Sequence, residues 1–285
     1  MSLIASLKKD ISCMTYYGNI VVICCHDGTV TFLGTTICKT ESYKVHSKPI
    51  TCVLLLEDAT LLFGSSDGHL ILCDIATMSI IKTIKIDQQK CFRCILHLYN
   101  NIISVGCNDG TVLYVNLQNE TNRKIVIIPE DDKDMDINHM VKLSITEIAI
   151  ASADGIIRIW NTASEKCVFE LKGHDAAVTQ LLLLPDKSLL SASEDGDLKI
   201  WNISSKKLSM KIEGHGNAIW GLINLCDGRI ATSSYDNTIK IWDMTNKTCM
   251  TLESEKQDNI TSIRQLQNGS IITCNSNGNV LCYVL

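Results

Sequence analysis

The sequence predicts an all-β protein: a seven-bladed β-propeller of four-stranded antiparallel blades, closed by the N-terminal strand pairing into the last blade. Three observations carry this prediction. A turn-forming dipeptide recurs seven times, its period is close to forty residues, and the segments between the turns are short and apolar. Asp-Gly and related pairs adopt the positive φ values that tight hairpin turns need. Short strands repeated at this period are typical of propeller blades.

The seven turn dipeptides mark the blades in order. They are Asp27-Gly28, Asp67-Gly68, Asp109-Gly110, Asp154-Gly155, Asp195-Gly196, Asp236-Asn237 and Asn277-Gly278, at intervals of 40, 42, 45, 41, 41 and 41 residues. The predicted blades span residues 10–45, 49–86, 91–128, 137–171, 177–212, 218–252 and 259–285 plus 2–7. Because the repeat covers the chain, residues 1–285 are predicted to form a single domain.

The fifth blade illustrates the four strands of each unit. Predicted strands cover residues 176–184, 188–193, 197–203 and 208–214, with a turn at Pro185-Asp186-Lys187 between the first two. Strand after strand is apolar on both faces, as expected where neighbouring blades cover both sides of a sheet.

The two ends of the sequence complement each other. The last unit stops after its third strand, NVLCYVL, whereas residues 2–7 form a spare apolar strand before the first unit. Pairing these segments would complete the seventh blade and cover an exposed edge.

Composition narrows the class of partner and the compartment. Hydrophobic residues make up 46% of the chain, charged residues 20%, and the formal net charge is −5. This balance disfavours nucleic acid and suits protein or peptide partners. We find no apolar membrane span and no signal-peptide pattern. Fourteen cysteines then indicate a reducing, cytoplasmic or nuclear location without disulfides.

The one long interval, between Asp109 and Asp154, locates an insertion at residues 129–138, PEDDKDMDIN. Five of its residues are acidic. A solvated loop lengthened by drift explains such a run. The functional alternative is an acidic lip at residues 130–136 that binds basic segments of a partner.

The fifth and sixth units closely resemble the WD-repeat family. The fifth contains Gly173-His174 followed by SASEDGDLKIWN from Ser191, and the sixth contains Gly214-His215 followed by TSSYDNTIKIWD from Thr232. The resemblance implies a hydrogen-bonded chain through each of these blades. Its members are His174, Ser191, Asp195 and Trp201 in the fifth blade, and His215, Thr232, Asp236 and Trp242 in the sixth.

Elsewhere the motif is incomplete. The fourth unit keeps Asp154 and Trp160 but has Ile150 at the Ser/Thr position, and the second has Phe63 and Cys73 where Ser/Thr and Trp belong. We therefore expect the first three blades and the last to rely on apolar packing instead of the polar chain.

The resemblance also implies a non-catalytic scaffold that binds partners at one end, the narrower "top" face. Three positions in each repeat usually reach that surface. Mapped onto this sequence, they predict partner contacts by Trp220, Tyr235, Glu194, Thr179, Arg93, Asn108, Asp136, Asn138 and His26.

Trp220 is the one tryptophan outside the third-strand position. With Tyr235 it would place two large aromatic side chains together at the top face, and such residues dominate interface energetics. The alternative is that Trp220 only fills the rim of its own blade.

No cofactor, metal site or catalytic centre is predicted. The His/Ser/Asp set recurs at a fixed repeat position, which fits a structural role better than nucleophilic catalysis. Cys91 and Cys94 have C-x-x-C spacing with His97 nearby, but on a strand residues three apart face opposite ways. A hydrolase or metal enzyme using His26 and His139 would lack a nucleophile or third ligand.

The second function considered is a substrate receptor of a ubiquitin ligase, or a ubiquitin-binding propeller. A site for phosphorylated peptides would need several arginines, but only Arg93 maps to the top face. Trp242-Asp243 is also followed by Met244-Thr245, not by the W-D-x-R pattern associated with one ligase adaptor. The scaffold is preferred, acting alone or as a subunit of a larger complex.

Overall fold

The computed structural model describes residues 2–34, 40–128, 135–254 and 259–284. Within these residues the chain forms β-strands in seven four-stranded antiparallel sheets and contains no helix. The predicted fold class is confirmed in both the number of sheets and the strands in each. Among the same residues, no helix is long and apolar enough to cross a membrane.

The strands follow the chain order within each sheet. Sheet one contains β2 (Ile11–Tyr17), β3 (Ile20–Cys25), β4 (Thr29–Gly34) and β5 (Thr40–Lys44). Sheet two contains β6 (Ile50–Leu55), β7 (Thr60–Ser65), β8 (His69–Asp74) and β9 (Ser79–Lys85). Sheet three contains β10 (Phe92–Tyr99), β11 (Ile102–Cys107), β12 (Thr111–Asn116) and β13 (Asn122–Val126). Sheet four contains β14 (Ile137–Lys142), β15 (Glu147–Ser152), β16 (Ile156–Asn161) and β17 (Lys166–Lys172).

The remaining sheets repeat this arrangement. Sheet five contains β18 (Val178–Leu183), β19 (Leu189–Ser193), β20 (Asp197–Asn202) and β21 (Lys207–Glu213). Sheet six contains β22 (Ile219–Asn224), β23 (Ile230–Ser234), β24 (Thr238–Asp243) and β25 (Thr248–Glu253). Sheet seven contains β26 (Ile260–Gln265), β27 (Ile271–Asn275) and β28 (Asn279–Tyr283), joined by β1 (Ser2–Ser6).

Sheet seven is built from both ends of the chain. β1 lies antiparallel to β28, with Ser2 opposite Cys282 and Ser6 opposite Asn279. The backbone N–H of Leu7 extends the pairing by donating to the Gly278 carbonyl at 2.8 Å. The predicted completion of the last sheet by the N-terminal strand is therefore confirmed.

The chain separates into two compact units, and each is described by itself. The first comprises Met1–Gln89 and Trp220–Leu285, and the second comprises Lys90–Ile219. In both units the core lies between neighbouring sheets. Phe63 of β7 and Phe32 of β4 share one buried cluster in the first unit. Trp201 of β20 and Ile157 of β16 share another in the second. Burying a side chain of this size contributes about 1.5–3 kcal/mol.

The turn dipeptides hold the second and third strands of each sheet together. Gly68 has φ +72°, and a Cβ at this position would lie 1.7 Å from the Asp87 carbonyl oxygen. A side chain here would therefore meet rigid backbone. Asn237 takes the same conformation with φ +68° in sheet six, because asparagine tolerates the left-handed region better than most residues.

The first strand of most sheets carries a bulge beside its first residue. Pairing with the second strand shifts register across Ser12, Thr51, Arg93, Asn138, Thr179 and Thr261. We call these the bulge residues, and we call this end of each sheet the bulge end. The turn dipeptide lies at the same end of the sheet. The residue before the dipeptide donates its N–H to the carbonyl of the residue that precedes the first strand. The Glu194 N–H thus bonds the Ala177 carbonyl at 2.9 Å.

Candidate functional site

The predicted polar chain of the fifth sheet forms a continuous hydrogen-bonded path. The indole N–H of Trp201 donates to Ser191 Oγ at 2.8 Å, and that hydroxyl lies 2.7 Å from His174 Nε2. His174 Nδ1 lies 2.8 Å from Asp195 Oδ2. One set of proton positions satisfies every member: His174 carries its proton on Nδ1 and donates it to Asp195, while Ser191 donates to Nε2. The path connects β20 to the loop that enters β18.

Asp195 is the charged end of this path. Burial acts to raise its pKa, but the hydrogen bonds from His174 and from the N–H groups of Asp197 and Asp175 outweigh burial. The pKa of Asp195 is therefore well below its usual range. Lys199 Nζ lies 3.4 Å from Asp195 Oδ2 and donates to the Gly173 carbonyl at 2.7 Å. The carboxylate thus carries a full negative charge in a nearly closed site.

In the sixth sheet, the Trp242 indole N–H donates to Thr232 Oγ1 at 2.9 Å. Asp236 Oδ1 accepts from the N–H and the hydroxyl of Thr238, at 3.0 and 2.7 Å. His215 lies on the loop that enters β22 and is half-buried. The tryptophan and its hydroxyl acceptor thus have the same relationship as in the fifth sheet.

The fourth sheet keeps the tryptophan without its acceptor. Ile150 takes the place of the serine, and the buried Trp160 indole N–H has no hydrogen-bond partner among the residues that the structure describes. Burial and the charge of Glu165 raise the pKa of the Tyr114 hydroxyl to about 12, and the neighbouring Trp160 opposes that rise. Neither the Tyr114 hydroxyl nor the Trp160 N–H has a hydrogen-bond partner within the described ranges, so the contact between them does not have hydrogen-bond geometry.

Arg158 occupies the position of Lys199 in the fourth sheet and binds the turn. Its Nη2 lies 2.6 Å from Asp154 Oδ2, an ion-pair contact without hydrogen-bond alignment, and its Nη1 donates to Ser152 Oγ at 2.9 Å. Glu170 Oε1 is a second carboxylate partner at 3.4 Å. An ion pair therefore closes this turn.

The first three blades are expected from the sequence to rely on apolar packing instead of the polar chain, but their turns also carry polar contacts of other kinds. In sheet one, Lys9 Nζ lies 2.9 Å from Asp27 Oδ2 and donates to Thr29 Oγ1 at 3.0 Å. Burial acts to raise the pKa of Asp27, but the Thr29 and Lys9 hydrogen bonds lower it to about 2. In sheet three the buried Lys90 pairs with Asp109. A lysine from the entering loop thus replaces the histidine.

In sheet two, two histidines converge on the turn aspartate. His46 Nε2 lies 2.9 Å from Asp67 Oδ1, and His69 Nδ1 lies 3.0 Å from the same oxygen. Ser65 Oγ donates to it at 2.6 Å. Burial acts to raise the pKa of Asp67, but the hydrogen bonds from Ser65, His46 and His69 lower it to about 2.

Thr179, predicted to contact partners, is instead buried, with 1% of its surface exposed. Its hydroxyl donates to the Ala192 carbonyl at 3.2 Å, and it also bonds the Ile219 carbonyl. The bulge explains the error, because the extra residue turns the side chain inward, between its own sheet and the start of β22. Ser12, Thr51 and Thr261 bond the second strand in the same way.

Two other bulge residues of the second unit reach a neighbouring sheet. Arg93 forms an ion pair with Asp136, which precedes β14, and 39% of the Arg93 side chain is exposed. Asn138 donates its amide to the Val178 carbonyl at 3.0 Å. Asn108 is exposed and accepts the Cys91 N–H at 2.9 Å. Arg93, Asp136 and Asn108 therefore lie together at the bulge end of sheets three and four.

The predicted aromatic pair is in contact. The rings of Trp220 and Tyr235 have centroids 5.5 Å apart and planes 31° apart. Both side chains are half-buried, and the Trp220 indole N–H is enclosed without an acceptor among the described residues. The two rings therefore present one apolar surface from sheet six. Of the other predicted residues, His26 is exposed in the first unit and Glu194 in the second.

Two further predicted features are the acidic run at residues 130–136 and the pair Cys91 and Cys94. Residues 129–134, most of the predicted acidic lip at 130–136, lie outside the described residues, and Asp136 is paired with Arg93. Cys94 is buried with its Sγ 3.4 Å from the Ile137 carbonyl, and burial raises the pKa of both Cys94 and Cys91. These thiols pack as small apolar side chains.

Comparison with known proteins adds to this geometry. Residues 37–74, 165–202 and 206–243 match the family model "WD domain, G-beta repeat". The crystal structure of the WD40 β-propeller domain of Doa1 superposes with a TM-score of 0.84 over 99% of this chain and 96% of that one, at 20% identity. Such a likeness concerns the fold.

A curated relative matches part of the chain. The echinoderm microtubule-associated protein-like elp-1 of Caenorhabditis elegans is 24% identical over 155 residues, which are 53% of this chain and 17% of that protein. The match therefore spans about a sixth of the relative's length.

Proposed function

Because this chain carries WD40 repeats in a seven-bladed β-propeller fold, we propose that it is a non-catalytic interaction scaffold that binds partner proteins at the bulge end of its sheets. Propellers of this family typically mediate protein interactions.

The Trp220–Tyr235 pair is the observation that supports the proposal. In sheets one, two, five and seven the bulge residue is a Ser or Thr whose hydroxyl bonds its own sheet. The equivalent position in sheet six, five residues after His215, carries Trp220 with its ring half-exposed against Tyr235. A tryptophan fixed by a second ring loses little conformational freedom on binding, and such anchors contribute about 2 kcal/mol or more.

Polar residues support a second contact region within the second unit. Arg93, Asn108 and Glu194 are exposed there. Exposed polar contacts usually add specificity and on-rate more than affinity, so we expect smaller losses from Arg93→Ala and Asn108→Ala than from Trp220→Ala.

The test uses the full chain with an affinity tag. Partners captured from a lysate of the source organism are identified, and the affinity of the main partner is then measured for Trp220→Ala and Tyr235→Ala. We expect a loss of about tenfold or more for each. Tyr17→Ala is the matched control, because Tyr17 is an exposed aromatic at the far end of β2 in the same unit. Unchanged affinity in folded Trp220→Ala protein would overturn the site assignment.

The acidic run at residues 130–136 extends the proposal to basic segments of the partner. Five carboxylates in seven residues favour a Lys- or Arg-rich sequence. We expect the association rate to fall with added salt and to become less salt-dependent when Asp131 and Asp132 are replaced by Asn. A rate that is independent of salt would remove this part of the proposal.

A further inference from the structure

The turn of sheet two differs from every other turn by placing two imidazoles on one carboxylate. His46 comes from the loop entering β6, while Asp67 and His69 flank the β7–β8 turn. Each of the three side chains offers one atom that could bind a metal ion, a ring nitrogen or a carboxylate oxygen, and these three atoms lie within 4.8 Å of one another. The centroids of the two imidazole rings are 5.1 Å apart.

Comparison with sheet five shows how the sequence produces this arrangement. There His174 uses Nδ1 for the aspartate and Nε2 for Ser191, which in turn holds Trp201. In sheet two the equivalents of Ser191 and Trp201 are the buried Phe63 and Cys73. His46 therefore has no hydroxyl to bind through its ring and directs Nε2 to Asp67.

The second histidine is also specific to this sheet. The second residue after the turn aspartate is Thr29, Thr111 and Thr238 in sheets one, three and six, and each threonine hydroxyl donates to its aspartate. Sheet two has His69 there. The ion pairs recorded for Asp67 in the described part of the chain are both with histidines, and Ile71 takes the place of the Lys199 cation.

We propose that His46, Asp67 and His69 form a Zn²⁺ site, with His46 Nε2, a carboxylate oxygen of Asp67 and His69 Nδ1 as protein ligands and water in the fourth position. Two imidazoles and one carboxylate are a donor set that zinc accepts in tetrahedral coordination. The ion would connect the loop entering β6 to the turn, as the His174–Asp195 hydrogen bond does in sheet five.

The distances suit such an ion. With bonds of about 2.0–2.1 Å, ligand atoms in a tetrahedron are about 3.3–3.4 Å apart. The two N···O distances here are 2.9 and 3.0 Å. Insertion of the ion therefore needs each N···O distance to open by only a few tenths of an ångström, with the two imidazole nitrogens, which lie within 4.8 Å of each other, adjusting to about the same separation.

The surroundings fix the ligands and leave a path to solvent. The Ser65 hydroxyl donates to Asp67 Oδ1 at 2.6 Å and accepts the His69 N–H at 3.0 Å, so the carboxylate and the His69 backbone share one support. Such supporting hydrogen bonds orient metal ligands. The side chains of His69, His46 and Asp67 are 9%, 14% and 25% exposed. The open position therefore faces the Asp67 side.

Binding changes only the positions of protons and the coordination. Each neutral imidazole now donates an N–H to Asp67. On binding, the His46 proton moves through solvent from Nε2 to Nδ1, and the His69 proton moves from Nδ1 to Nε2, which frees one lone pair on each ring. No covalent bond forms or breaks within the protein, and no oxidant or reductant is needed.

The test is zinc titration of the full chain, stripped with chelator and kept reduced. We expect the wild-type protein to bind one zinc ion per chain. The His69→Thr variant should bind zinc at least about tenfold more weakly. His69→Thr places at this turn the residue found in sheets one, three and six, and so preserves the local hydrogen bonding. His97→Ala is the matched control, because it removes a half-buried histidine elsewhere, and its zinc affinity should equal that of wild type.

Cobalt substitution identifies the ligands in the wild-type protein itself. Co²⁺ in the proposed site should give visible bands of a nitrogen–oxygen environment without the near-ultraviolet charge-transfer bands of thiolate ligands. Thiolate bands, or equal zinc affinity in wild type and His69→Thr, would assign the ion to cysteines and overturn the proposal. Folded wild-type protein that binds no zinc would reduce the cluster to a hydrogen-bonded turn and overturn it equally.

Discussion

Sheets four and five, both in the second unit, carry a tryptophan at the same position but close their turns differently. In sheet five the Trp201 N–H, Ser191, His174 and Asp195 form one hydrogen-bonded path. In sheet four the Trp160 N–H has no acceptor in the described part of the chain, and Arg158 neutralises the turn aspartate. The turn geometry is the same, whereas the chemistry that holds it is not.

The difference teaches that the turn aspartate needs hydrogen-bond donors or a cation, while the tryptophan need only be packed. An unsatisfied buried N–H costs about 1–3 kcal/mol, which the apolar surface of a buried indole can offset. A buried carboxylate without a donor or cation would cost more. Sheets one to five each supply a donor or a cation to the turn aspartate. In order, these are Lys9, His46 with His69, Lys90, Arg158, and His174 with Lys199.

Removing the turn aspartates should give the largest difference in stability loss between the two sheets. Asp195→Ala leaves His174 without its acceptor and leaves the enclosed Lys199 ammonium with the more distant Asp197 carboxylate at 4.0 Å, and it should lower the free energy of unfolding by about 3 kcal/mol. Asp154→Ala should cost less, because Arg158 keeps Glu170 at 3.4 Å. Urea unfolding monitored by tryptophan fluorescence measures both. Asp175→Ala, at an exposed position, is the control, and equal losses at 154 and 195 would break the comparison.

Deleting the central hydroxyl of sheet five should have the next largest effect. Ser191→Ala leaves the Trp201 N–H and His174 Nε2 without partners, and we expect a loss of about 1–3 kcal/mol. In a Trp201→Phe background the same substitution leaves fewer orphaned groups, so its cost should shrink. Equal costs in both backgrounds would show that the path is not energetically coupled.

Installing a hydroxyl in sheet four should sharpen the comparison. Ile150→Thr and Ile150→Val remove similar volume, but only threonine can accept the Trp160 N–H, as Thr232 accepts that of Trp242. We expect the threonine variant to be more stable than the valine variant by about 1 kcal/mol. The order should reverse in a Trp160→Phe background, where the hydroxyl is buried without a donor. Valine superior in both backgrounds would contradict the prediction.

Acid should test the role of Asp195 in a second way. The pKa of Asp195 is lower in the folded protein than the usual value of about 3.9. Its contribution to stability is therefore complete above about pH 4 and is lost as pH falls towards the folded pKa. Asp195→Asn should flatten the pH dependence of unfolding between pH 4 and pH 2 by at most about 1.4 kcal/mol per pH unit. An unchanged slope would show that this carboxylate does not titrate with unfolding.

The fold could be predicted because its signals are local. A turn that needs positive φ selects Asp-Gly or Asp-Asn wherever it recurs, and the spacing of those pairs counts the sheets. The aromatic pair followed from the same count, since Trp220 and Tyr235 hold fixed repeat positions. Both rest on backbone requirements that repeat identically.

The side chains that bind the turn aspartates could not be predicted from the spacing of the repeat. Lys9 and Lys90 precede their turn aspartates by 18 and 19 residues, whereas His46 and His174 precede theirs by 21, because a long lysine side chain reaches from a different point on the loop. The error at Thr179 has a similar cause, since a bulge adds one residue that alternation does not count. A signal was present: Ser12, Thr51, Thr179 and Thr261 repeat a small hydroxyl residue where an exposed position would vary.

The pairing of β1 with β28 has a kinetic consequence. It joins Ser2 to Cys282, whereas the other strand pairs are hairpins closed by short connections. Bringing together segments this far apart along the chain costs on the order of 5 kcal/mol of entropy before any contact forms. β1 should therefore add last during folding and detach first in the native state, and its amide protons should exchange with deuterium before those of the hairpin strands.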